Sequence, residues 1–160
     1  MSWSIAPGQG VGQLCLGMSR EAVEELPVMG RPQHVYRGSG GRQMEYRGLG
    51  LPICEYRDGA LVRIVTSRHV AGVRVDGMDV FACDPLDLVR MLEKRFGAVT
   101  LCQEQLCFRA AGLILGGFYE PHDHRFFRPD IEYHDERSVT LYQPGTCDGS
   151  CDVSEVLSFL

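Results

Sequence analysis

The segment Pro7–Leu26, PGQGVGQLCLGMSREAVEEL, constrains the fold more than any other stretch of the chain. It reads as a glycine-rich lead-in, a short apolar strand over Val11–Leu16, a turn and a capped helix. Ser19 fits an N-cap, Glu21 complements the positive end of the helix dipole, and Pro27 stops the helix. Met18 and Val23 have the spacing of a hydrophobic staple. The same order of parts recurs at Val75–Phe96, VDGMDVFACDPLDLVRMLEKRF. There Asp84 caps a second helix, Pro85 takes its first position and Gly97 ends it. Leu88, Leu92 and Phe96 form one apolar face of that helix.

Strands fill the rest. Gln43–Tyr46 reads as a short strand in the glycine- and arginine-rich stretch from Arg37 to Gly50. Asp58-Gly59 suits a tight turn and predicts a hairpin with arms Ile53–Arg57 and Ala60–Ser67. Val99–Cys102, Leu106–Arg109 and Leu113–Tyr119 look like a meander, followed by an irregular loop over Glu120–Pro129. Ile131–Tyr133 and Ser138–Tyr142 predict a last hairpin, and Asp152 with Glu155 predicts a short helix over 152–160. The expectation is one α+β domain over residues 1–160, with halves 1–74 and 75–145. Each half would be a short helix followed by an antiparallel β-meander, with the helices packed on one face of the sheet.

The chain of 160 residues is long enough for one full core. No run approaches the length of a membrane span, and MSWSIAPGQG lacks the basic and apolar regions of a secretory signal. These features predict a cytoplasmic protein with no membrane partner. The net charge of -5 argues against nucleic acid and suits a basic protein partner. Without a secretion signal, free thiols are the default for the seven cysteines. Cys15 and Cys54 sit in apolar runs as small hydrophobes, whereas Cys147 and Cys151 have a polar, turn-like context.

Candidate chemistry is sparse. Gly8, Gly10 and Gly12 precede a strand instead of opening a helix, so they do not make a phosphate loop. No serine sits in a G-x-S-x-G elbow. Cys83, just before the second helix, lies where a helix start could activate a thiol, but its position suits a staple to Leu88 far better than a nucleophile. His122 and His124 lie two apart and would face one side of an extended segment. They are candidate zinc ligands, with Cys147 and Cys151 as possible thiolate partners and Glu120, Asp123 and His134 nearby. Tyr119, Phe126 and Phe127 crowd around His122, His124, Arg125 and Arg128, a mixture typical of interface anchors. Tyr36, Arg37, Arg42, Tyr46 and Arg47 form a second group of the same character. The alternative for the first group is a core phenylalanine pair from which the arginines snorkel. Three functional readings stand. One is a non-enzymatic binding protein, without a cofactor, that contacts another protein through Tyr119–Arg128. The second is a metal-dependent enzyme or metal-stabilised module built on His122 and His124. The third is a small-ligand binder with its cavity between helices and sheet.

Leu16, Gly17, Met18, Ser19, Glu21 and Val23 resemble the Gly-Met-Thr helix start of outer-membrane assembly lipoproteins of the BamE type. Pairing helices with meanders in tandem is also similar to the architecture of β-lactamase inhibitor proteins. The opening segment and DGMDVFACDPLDLVRML together resemble small cytoplasmic bacterial proteins, some of them like immunity proteins of toxin systems. That likeness runs to about Phe96 and carries no catalytic residues. It implies a compact, acidic binding protein, plausibly an inhibitor or immunity protein.

Overall fold

The computed structural model describes residues 2–127, 136–144 and 155–160. The chain opens with β1 (Trp3–Ala6), β2 (Gly10–Val11), β3 (Leu14–Cys15) and α1 (Arg20–Glu25). Next come β4 (His34–Arg37), β5 (Arg42–Tyr46), β6 (Ile53–Arg57), β7 (Ala60–Ser67), β8 (Val73–Val75) and β9 (Met78–Asp79). After α2 (Pro85–Phe96) follow β10 (Val99–Cys102), β11 (Gln105–Phe108), β12 (Leu113–Gly116), β13 (Tyr119–Glu120) and β14 (Arg125–Phe126). The last strands are β15 (Ser138–Tyr142) and β16 (Glu155–Leu157).

Local chemistry explains the clearest elements. Asp58 and Gly59 both take positive φ, 51° and 82°, so the chain turns from β6 into β7 in two residues. The Asp84 carboxylate accepts from the Leu86 and Asp87 amides at 2.9 and 3.2 Å and starts α2 with Pro85 in place. Ser19 does the same for α1 through the Ala22 amide at 3.1 Å. Gly10 is needed for close approach: a Cβ there would collide with the Leu14 carbonyl oxygen. The first glycines therefore serve a β2–β3 hairpin, and the single strand expected over Val11–Leu16 is that hairpin.

A nine-stranded antiparallel sheet runs in the order β16-β10-β11-β12-β15-β7-β6-β5-β4. A five-stranded sheet, β3-β2-β1-β8-β9, joins it around one apolar cluster with α2. This corrects the expected α+β architecture of two similar halves. Strand makes up 43 % and helix only 13 % of the described residues. Long-range pairing overrides the local symmetry: β7 pairs with β15, and β1 lies parallel to β8. The expected terminal helix is also corrected, since Glu155–Leu157 pairs with β10 as a strand. So short a helix has little stability of its own, and the free edge of β10 offers a full ladder of hydrogen bonds. Ile131–Tyr133 lies outside the described residues.

One row of side chains shows how the sheet meets the core. Val35, Glu45, Cys54, Ile64, Leu141, Leu113 and Phe108 stand in register across β4, β5, β6, β7, β15, β12 and β11. All but Val35 are buried, and one of them is a carboxylate. Glu45 is 1 % exposed and accepts from Arg20 Nε and Arg47 Nη2, each at 3.0 Å. Arg47 Nε donates to the Gly30 carbonyl at 2.9 Å. The network thus ties α1, the turn after it and β5 into one unit. Removing one member of such a buried pair leaves an uncompensated charge, at a cost of roughly 3–5 kcal/mol. Glu45→Ala is expected to lose about that much in urea denaturation, and adding Arg47→Met should recover most of it. A loss of only ~1 kcal/mol, that of a surface pair, would refute the assignment.

Candidate functional site at the sheet edge

The network ends where the sheet leaves the core, and β4 continues beyond it. All four residues of β4 are exposed. Among the described residues it is the end strand of the sheet, with no strand on its outer side, so alternate amides and carbonyls face outward. Val35 and Tyr36 on β4 and Met44 on β5 are among the large hydrophobic side chains left in solvent, Tyr36 at 58 %. Tyr36 and Met44 are cross-strand partners and line a cleft of about 200 Å³ together with Arg37, Arg42, Gln43 and Glu55. Arg42 holds Glu55 Oε1 through Nη2 at 2.6 Å and Nε at 3.0 Å, and Arg63 lies 3.9 Å from Oε2. The His34 ring sits between Tyr36 and Tyr46, with centroids 6.3 and 6.2 Å away. The structure thus gathers Tyr36, Arg37 and Arg42 at one surface, and puts Arg47 of the same group in the buried network. The strand itself was missed. Its signal was the apolar pair Val35-Tyr36 bounded by Pro32 and Gly38.

The expected irregular loop after Tyr119 is a hairpin of β13 and β14. Tyr119 is buried, and its ring packs with Phe126 and Phe159 at centroid distances of 5.2–5.4 Å. Its hydroxyl lies 3.2 Å from His124 Nδ1. The Phe127 amide donates to the Phe118 carbonyl at 2.9 Å, while the Arg125 guanidinium covers the Phe127 ring at 5.5 Å. His122 is exposed, with Nε2 3.5 Å from Glu104 Oε1. The two imidazoles thus engage different partners. Among the described residues no three His, Cys, Asp or Glu side chains stand together as a metal site. Arg128, His134, Cys147 and Cys151 lie outside the described residues. Beside the hairpin, Glu104, Glu120 and Glu136 line an acidic hollow with Tyr119 and Phe127. No family model, curated protein or solved structure matches the chain.

Cys15, Cys54 and Cys83 are free thiols, as expected, but Cys102 is disulfide-bonded. Burial pushes the Cys83 thiol up, and the Asp79 carboxylate adds to this, so the nearby helix start does not activate it. Burial pushes the Cys54 thiol from its ordinary 9.0 up to about 11, against the opposing pull of Arg47. The neighbouring Tyr56 hydroxyl is raised for the same reason and makes no hydrogen bond of good geometry, although Glu45 and Cys54 lie close by. Both groups favour the neutral form when folded. The Cys54 contribution is therefore intact below about pH 9 and is lost as the pH climbs through about 11, whereas that of Tyr56 begins to fall only near its ordinary value of 10.0. Stability in urea is expected to fall across that window by about 1.4 kcal/mol per pH unit for Cys54. Cys54→Ala should remove the early part of the fall, leaving the part that begins near the ordinary tyrosine value. An unchanged alkaline profile in that variant would show that the thiol does not titrate with unfolding.

Proposed function

We propose that the chain is a non-enzymatic binding protein that recognises another protein through the β4 edge, in the manner of an inhibitor or immunity partner. The observation that carries this reading is β4 itself. It is the end strand of a nine-stranded sheet, exposed along its whole length, with Val35, Tyr36 and Met44 in solvent beside it. Sheets usually shield such edges, because their unpaired amides and carbonyls accept any extended chain. A partner segment gains affinity from those main-chain groups and specificity from the side chains flanking them. Tyr36 adds a broad amphipathic ring that loses little conformational freedom on binding.

Burial holds the Cys54 and Cys83 thiols protonated, which supports binding over thiol catalysis. No helix among the described residues is long and apolar enough to cross a membrane. The disulfide at Cys102 favours an oxidising compartment over the cytoplasm expected from the sequence. In such a compartment the inhibitor form of the reading fits better than a cytosolic immunity partner.

A photo-crosslinking amino acid in place of Tyr36 or Met44, expressed in the source cell, tests the surface. One dominant protein adduct is expected at both positions, and it should disappear when Val35→Asp is added. No adduct at either position, with an adduct from the same probe at His122, would overturn the reading in favour of the 119–127 hairpin.

A further inference from the structure

We infer that the occupant of the β4 edge is an acidic, extended segment of a partner protein, bound as an added strand. This rests on β4 being the binding surface. The chain as a whole carries -5, yet this end of the sheet has the opposite sign. β4 contributes His34 and Arg37 and no carboxylate. Behind it, Arg42 stands directly opposite Arg57 across β5 and β6.

The carboxylates near this surface are largely engaged. Glu45 is shared by Arg20 and Arg47, Glu55 is held by Arg42 with Arg63 nearby, and Glu24 pairs with Arg31 at 3.2 Å. Arg37 and Arg57 are exposed and form no ion pair among the described residues. Asp58, at the turn beside Arg57, offsets part of the excess. Guanidinium groups bind carboxylates through paired, charge-assisted hydrogen bonds. An extended segment carrying glutamate or aspartate would meet Arg37 while its backbone pairs with β4 and its apolar residues meet Val35 and Tyr36, and Arg57, two strands further in, would add to the positive field it approaches.

The same charge argues against a second copy of this chain. Two-fold pairing of β4 with itself, centred between Val35 and Tyr36, would set each Arg37 against the His34 of the other copy and bring it no carboxylate, because β4 has none. The arginine also keeps the edge from recruiting strands at random, which is the usual work of charge on an edge. The surface is therefore selective by sign.

The test uses the full chain and fluorescent peptides of alternating glutamate and valine, with a lysine-valine peptide as the control. Anisotropy is expected to show saturable binding of the acidic peptide that weakens as salt is raised. The lysine peptide should bind at least about tenfold more weakly, and Arg37→Glu should cost the acidic peptide about tenfold. The Arg57→Glu variant provides an independent check away from the β4 backbone. An acidic peptide methylated on alternate backbone nitrogens should lose binding, as strand addition requires. Equal binding of the two charge types, or acidic binding indifferent to both arginine variants, would overturn the inference. Failure of the acidic peptide while Tyr36 still crosslinks to a partner would remove the acidic occupant and leave the edge reading standing. Crosslinking of Tyr36 to another copy of the chain would replace the acidic partner with a dimer. Loss of both the crosslink and the peptide would remove both proposals.

Discussion

Glu45 is the constraint on which the exposed end of the large sheet depends. It occupies a core-facing position, yet it is charged, and two guanidinium groups from different parts of the chain meet it there. Arg20 comes from α1 and Arg47 from just beyond β5, and Arg47 also reaches the Gly30 carbonyl. A hydrophobic residue in this place would satisfy the core at least as well, because buried ion pairs seldom add net stability. What the charge adds is directional fixing. The oxygens of Glu45 can be satisfied only if α1, the turn at Gly30 and β5 keep one arrangement. β4 is bonded to the rest of the sheet through β5 alone, so its position follows from that arrangement.

The two ends of the sheet are finished differently. At the far end, β16 lies on β10, and the chain just after it is held by α2. The Phe159 amide donates to Glu93 at 2.9 Å, and Arg90 donates to the Phe159 carbonyl at 2.8 Å. The Phe159 ring then packs against Tyr119 and Phe126. This explains why Tyr119 and Phe126, which look like interface anchors in the sequence, are drawn inward: the chain's own tail supplies their partner. At the β4 end nothing comparable among the described residues covers the strand, and Tyr36 keeps most of its surface in solvent. Similar residue types meet different fates because one set lies beside a segment that returns to cover it.

What the sequence disclosed follows from how local each signal is. Asp58-Gly59 and the Asp84-Pro85 cap act within a few residues, and both the β6–β7 hairpin and α2 fall where those signals place them. β15 was legible from its run of alternating bulk, Ser138–Tyr142. The architecture was not, because it depends on pairings between distant segments. The parallel contact of Trp3 with Val73 leaves no trace in either segment alone. The likeness between 7–26 and 75–96 does not extend to a repeat in the fold: α1 has only 6 residues and the strands after it join one continuous sheet with those after α2. The candidate site was half legible. Tyr36, Arg37 and Arg42 stood out as a group, whereas their placement on an edge required knowing that no strand follows β4.

Charge shows the same difference between a sum and an arrangement. A net charge of -5 points to a basic partner, and Glu104, Glu120 and Glu136 do gather where a basic group would sit. At the β4 end the internal pairing of Glu45 and Glu55 engages two of the acidic side chains, and Arg37 and Arg57 face solvent with Asp58 offsetting part of their charge. Burying Glu45 to fix the strand therefore also shapes the charge of the surface beside it. The interaction that holds the edge in place and the field at that surface come from one distribution of charge. A change at Glu45 would alter both, while a change at Arg37 would alter the field alone.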